Sequence, residues 1–337
     1  IDSAIGVLVV TLHYARNLPK VDTFGSADPY VVAYVTSKPE QYAKTQIKED
    51  TLNPTWNETK VILVYSSDEN LQLDIYDWNN VGKDEKLGIV TIPVKDFEDE
   101  PEQEGVNRPI FLRDKENGRI NFDVSYFPVI EKSAVDVEVS HVEDGEAANL
   151  ALAPTEVESN TGLLQLYVRS AKDLAMTKTA AKKLNVHVVS FVNKDMVMES
   201  PAVKKTDEPV WEQGKEVFVA DREQSKLTFK VMDGERRIGV VRIDLNTALE
   251  RQKQQQGLDW YPIEGHVKAK LRIFVKWRPV LMDADIAAVL GQGKKLVPPP
   301  IGVVKINMWE GRNIKNVETL QGTKSDPYVR VMVQNRV

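Results

Sequence analysis

Three stretches of the chain share one pattern of apolar and polar positions. GVLVVTLHYARNL begins at Gly6, GLLQLYVRSAKDL at Gly162 and GVVKINMWEGRNI at Gly302. Each opens on glycine, alternates apolar residues with period two, breaks at polar residues and ends on Leu18, Leu174 or Ile314. Such alternation predicts a half-buried β-strand, because successive side chains of a strand point to opposite faces. A second repeated pattern closes the units. GRINFDVSYFPV, from Gly118, aligns with AKLRIFVKWRPV, from Ala269, pairing Ile120 with Leu271, Phe122 with Ile273 and Tyr126 with Trp277. Between the ends, TLNPTWNE at Thr51 matches TDEPVWEQ at Thr206, and KLGIVTIPV at Lys86 matches RIGVVRIDL at Arg237.

Within each unit, short alternating runs recur between Gly, Pro, Asn and Asp. They predict an all-β fold of antiparallel sandwiches, two complete and a third truncated. The expected divisions are a first module at 5–130, a linker at 131–160, a second module at 161–280, a Pro-ending linker at 281–300 and the start of a third module at 301–337. Helices are expected only at Leu245–Gln256 and Ala284–Leu290. Val135, Val137 and Val139 alternate, which leaves a strand open inside an otherwise acidic linker.

Length supports two or three domains, since 337 residues exceed one ordinary core. The net charge of −6 is unevenly spread: residues 131–160 hold eight acids against Lys132 alone, leaving the remainder near neutral. That balance offers no strong basic field for nucleic acid. Without cysteine there is neither a disulfide framework nor a thiol nucleophile. No apolar run reaches the ~18 residues of a membrane-spanning helix. The chain starts at Ile1, so it reads as an excerpt whose membrane anchor would lie elsewhere.

Candidate chemistry gathers in two loops of the first module. LPKVDTFGSADPY carries Asp22 and Asp28 around Gly25, and DWNNVGKDEKLG carries Asp77, Asn79, Asp84 and Glu85. Oxygen donors from two loops, without nitrogen or sulfur, suit a hard, many-liganded cation, namely Ca²⁺. Asp and Asn also serve as turn residues, but clustered acids repel unless a cation neutralises them.

The order NL-x3-D-x5-DPY, NPxWNE and DxN-x5-E-x2-G resembles a C2 domain, and the opening and closing strands resemble its type II topology. The resemblance implies eight-stranded sandwiches and a Ca²⁺ site on Asp22, Asp28, Asp77, Asn79 and Glu85, with Asp84 as a substitute for Glu85. Asn79 is neutral and Glu85 longer than the family's usual Asp, so a weakened site is expected. The implied ligand is anionic phospholipid, phosphatidylserine or phosphoinositide. Phe24 and Val81 would be inserting loop tips with Trp78 beside them, although core packing is the competing reading of Trp78. Lys38, Lys44, Lys48 and Lys60 would form a lateral basic patch.

The second module keeps the scaffold but not the acids. Its first loop, LAMTKTAAKKLNV, has none, and MDGERRIG is five residues shorter than its counterpart, so no Ca²⁺ site is expected. Lys178, Lys182, Lys183, Lys204 and Lys205 leave open a constitutive contact or a mere spacer. In the third, Glu318 and Asp326 take the first-loop positions. Three such modules in series resemble tricalbins and extended synaptotagmins. That implies a tethering segment at endoplasmic reticulum–plasma membrane contacts, attached to a lipid-transfer domain, with oligomerisation through flanking regions open. The alternatives are the targeting part of a larger enzyme or a protein-interaction scaffold. No P-loop, nucleophile elbow or kinase motif is present, and His13, His141, His187 and His266 are scattered, so no catalysis is expected.

Overall fold

A computed structural model describes residues 2–20, 26–130, 159–175, 177–254 and 259–282, with 286, 287 and 290. By contacts the chain divides into Ile1–Leu296 and Val297–Val337, and the second unit lies outside the described residues. So do the third module and residues 131–158 of the acidic linker, with its alternating valines.

The first module is built from β1 (Gly6–Arg16), β2 (Pro29–Val35), β3 (Ala43–Lys44), β4 (Thr55–Val64), β5 (Asn70–Asp77), β6 (Glu85–Pro93), α1 (Val94–Asp99), β7 (Glu102–Leu112) and β8 (Lys115–Pro128). The strands run in the order β3-β2-β5-β6-β7-β8-β1-β4, every pair antiparallel. A lone pairing, Ile89 with Phe111, joins β6 to β7, so the ribbon folds there into two layers. Leu8, Val10 and Leu12 of β1 meet Val31, Ala33 and Val35 of β2 in one core with Leu71, Leu73 and Ile75 of β5. The first strand lies beside the last, as the type II reading requires.

The second module repeats the plan with β9 (Gly162–Lys172), α2 (Lys178–Ala181), β10 (Asn185–Val192), β11 (Asp195–Glu199), β12 (Val203–Lys204), β13 (Val210–Val219), β14 (Lys226–Asp233), β15 (Arg236–Asp244), α3 (Leu245–Gln254), β16 (Trp260–Pro262) and β17 (Lys270–Pro279). Here the layers are separate sheets, β13-β9-β17-β16 against β11-β10-β14-β15 with β12 on β10. The extra strand, β11, is a hairpin partner of β10 that the first module lacks. Helix α3 matches the amphipathic stretch expected from the sequence and ends within it. Residues 286, 287 and 290 are helical, inside the second expected helix. Helix α1 was not anticipated; Val94 and Phe97 mark it, three apart and both buried.

The two modules pack together. Strand β1 is buried on both faces over Gly6–Leu12, because Val7 and Val9 point away from their own core. They join Phe127, Val129, Leu163 and Val280 in a separate apolar cluster between the modules. Beside it, Glu216 and Arg278 form a buried ion pair at 3.0 Å. Glu216 Oε2 accepts the Ala4 N–H at 2.7 Å, and Arg278 donates to the Ala4 carbonyl at 2.6 Å. Both charges are thereby engaged by groups that balance their desolvation.

Candidate functional site

The loops at one end of the first sandwich are held by backbone pairing at their bases. Pro29 opens β2 opposite Asp77, which closes β5, so the two loops start side by side. The Asp28 N–H donates to Asp77 Oδ1 at 2.6 Å, and the Trp78 N–H to the Asp28 carbonyl at 3.1 Å. Asp77 is 1% exposed, while Asp28 Oδ1 accepts the Asp50 N–H at 2.6 Å. Glu85 is paired with Asp77 across β5 and β6 and is exposed.

Asp84 is oriented differently. One carboxylate oxygen accepts the Tyr30 hydroxyl at 2.6 Å and the other the Asn79 N–H at 3.0 Å. The tyrosine bond and the backbone bond hold the Asp84 carboxyl below the usual carboxylate range. Burial, followed by that same hydrogen bond and charge, pushes the Tyr30 phenol up. The Asn79 side chain donates to the Lys83 carbonyl at 3.1 Å, closing the loop on itself. Of the expected ligands, Asp28 meets Asp77 and Glu85 stands across from Asp77 on the neighbouring strand, whereas Asn79 is turned onto its own loop and Asp84 braces that loop against β2. Asp22 and Phe24 lie outside the described residues. Among the described residues, no three His, Asp or Glu side chains are gathered tightly enough to hold a metal ion. The donors present are oxygens, the set a Ca²⁺ ion takes. At the loop tip Val81 is 90% exposed, next to Gly82 at φ +105°, and Trp78 is half-buried.

The four expected patch lysines are divided. Lys38 pairs with Asp2 at 2.6 Å, and Lys60, on β4 in the other layer, with Glu58 at 2.9 Å. Lys44 sits 3.5 Å above the Tyr30 ring, which stacks on Tyr76. Lys86 lies 5.2 Å from the Tyr76 ring and is bound to Asp74 at 2.8 Å. Sequence reading overlooked Lys86, although its position one residue past Glu85 in an alternating strand put it on this outer face. Lys48 is half-buried and its N–H donates to the Pro29 carbonyl.

The second module shows what replaces the acids. Asn185 stands where Asp28 does, and its N–H donates to Asp233 Oδ1 at 2.8 Å, the counterpart of the Asp28–Asp77 bond. Arg236 then binds the other Asp233 oxygen at 2.9 Å. Burial opposes ionisation of Asp233, but the Asn185 N–H and the Arg236 guanidinium outweigh it and lower its pKa. The remaining carboxylate is thus neutralised by an internal cation.

The C2 domain family matches residues 6–108 and 162–263. Tricalbin-1 of Saccharomyces cerevisiae is 26% identical over 333 residues, covering 98% of this chain and 26% of its own length. Synaptotagmin-3 of Arabidopsis thaliana is 32% identical over 217 residues, covering 61% of this chain and 38% of its own. Among solved structures, the calcium-bound pair of C2 domains of extended synaptotagmin 2 superposes with a TM-score of 0.59 at 21% identity, over 84% of this chain and all of that one. The chain spans about a quarter of the length of the tricalbins it matches. With two family matches falling on two sandwiches of repeated plan, this chain belongs to the C2 domain family, as a tandem-C2 homologue of tricalbins and extended synaptotagmins.

Proposed function

We propose that this chain is the membrane-binding segment of a tether at endoplasmic reticulum–plasma membrane contacts, without catalysis of its own, and that its first module answers to calcium. The observation that carries the reading is the joining of Asp28 to Asp77 at the base of two loops whose tip exposes Val81. Asp28, Asp77, Asn79 and Glu85, with Asp22 from the first loop, would hold the ion. Bound Ca²⁺ supplies positive charge that bridges the acidic loops to anionic lipid phosphates. Val81 and Phe24 would enter the bilayer, and Lys44 and Lys86 on their tyrosine platform would meet headgroups at the side. The similarity to a calcium-bound extended synaptotagmin pair and to tricalbins supports this reading, and attachment to a lipid-transfer domain rests on the family resemblance of the sequence alone. The module divisions at 5–130, 131–160, 161–280, 281–300 and 301–337 are part of the proposal.

The test is a calcium titration of the whole chain by calorimetry, with co-sedimentation on phosphatidylserine vesicles. Calcium-dependent sedimentation should be lost in the Asp77→Asn, Glu85→Gln double variant. Absence of both binding heat and any calcium effect on sedimentation would return the acidic loops to turn chemistry.

A further inference from the structure

We propose that the outer face of β9, β17 and β16 in the second module docks an anionic phospholipid bilayer without calcium. The internal repeat provides a control for this face, since each of its positions has a counterpart on the same face of the first module. On β17, Arg272, Phe274 and Lys276 alternate outward between the core residues Leu271, Ile273 and Val275. Cross-strand register places Trp260 beside Arg272, Tyr167 beside Phe274 and Val210 beside Ser170, all on that face. Phe274 is 38% exposed and Val210 62%. In the first module the matching residues are Asn121, Asp123 and Ser125 on β8, with Thr11 and Thr55. There they form a polar network in which His13 bonds Asp123 at 2.7 Å and Thr11 bonds Thr59 at 3.0 Å.

Asn121, Asp123, Ser125, Thr11 and Thr55 have thus been exchanged for cationic, aromatic and aliphatic residues on a face that folding does not cover. Lys172 and Lys270 keep the charge of Arg16 and Arg119, of which Arg119 is paired with Glu116. The cations are placed over rings: Lys172 lies 4.4 Å and Arg272 5.9 Å from Trp260. Arg169 and Arg272 are balanced by Glu212 and Asp259. Lys172, Lys270 and Lys276 have no carboxylate partner among the described residues, leaving an excess of positive charge. The other end of the same face, at Leu163, Glu216 and Arg278, is closed by the first module, so the open part is bounded.

A sheet face bearing Trp, Phe and Val among these lysines fits a bilayer surface. Aromatic rings favour the headgroup level, and lysines reach phosphates while their stems cover apolar area. This surface lies far in sequence from the acidic loops and takes from the calcium reading only the class of ligand.

The experiment is flotation of the whole chain with phosphatidylserine-containing vesicles in EDTA and again in calcium. Wild type is expected to float in EDTA, and a Lys270→Glu, Lys276→Glu variant to lose at least about tenfold in partitioning, since each surface lysine contributes about fivefold. A Val210→Thr, Phe274→Asp variant, bearing the first module's residues, is expected to lose EDTA-resistant flotation while keeping calcium-dependent flotation. That separates the two surfaces: loss of the calcium response alone would count against the acidic loops and leave this face standing. The proposal is overturned if wild type does not float in EDTA, or if both variants float as wild type. It is overturned in favour of the chain's own acidic segment if flotation in EDTA requires neutralising the acids of residues 131–160. Unchanged thermal melting of the variants guards against misfolding.

Discussion

Gly6 and Gly162, the residues that head the repeat, show why it starts on glycine. Each lies under an aromatic ring of its module's last strand, Tyr126 or Trp277. A Cβ on Gly162 would meet the Trp277 ring at 2.6 Å and the Arg278 carbonyl at 2.5 Å. Gly162→Ala should therefore destabilise the second module by about 1–3 kcal/mol, measured by denaturant unfolding. The Tyr30–Asp84 bond has a different signature. Tyr30→Phe removes a donor to a carboxylate that lies against solvent, and about 1 kcal/mol should be lost at neutral pH. Because the folded Asp84 pKa lies below 3.8, its contribution is complete above pH 3.8 and vanishes as pH falls through the lower folded value. Because the Tyr30 pKa is raised above 10.0, its contribution is complete below pH 10 and is lost as pH rises through the folded value. Unfolding curves of wild type and Tyr30→Phe should accordingly converge at low pH; parallel curves down to pH 2 would refute the bond's role.

At the scale of elements, strand pairing places one residue of each acidic loop, and the two modules differ in the connection beyond it. In the first module β5 and β6 are separated by a loop that holds Asn79 and Asp84; in the second, Asp233 and Arg236 close β14 onto β15 almost directly. Calcium should stabilise the chain through the first module, by about 2.7 kcal/mol at a hundredfold excess over its dissociation constant. In Glu216→Ala, whose modules should melt apart, only the first module's transition should rise with calcium, and a rise in the second's would contradict the Arg236 assignment. The short elements were also the ones missed in the sequence: α1 has six residues and β11 five, too few for a period to stand out.

Across the whole molecule, the ion pair of Glu216 with Arg278 couples the modules through the backbone of Ala4. Removing one member of a buried pair strands the other charge, at about 3–5 kcal/mol. Glu216→Ala should therefore separate the modules' melting into two transitions in calorimetry, where wild type should show one. A single unchanged transition would show that the apolar cluster around Val7 and Leu163 suffices.

Alternation, repeats and turn residues determined the strands, the sandwich plan and the loss of acids in the second module, because those are local properties with periods of two and fixed loop chemistry. The placing of Asp28 beside Asp77 at the base of neighbouring loops was legible for the same reason. Only the tertiary structure decided that Asp84 braces Tyr30, that Lys38 and Lys60 are held by acids, and that Lys86 joins Lys44 across stacked rings. It alone decided that Val7 and Val9 face a second module and that Arg272 and Phe274 face none. Which outward face of a strand is covered depends on partners distant in sequence, and a period of two names the faces without saying what lies against them.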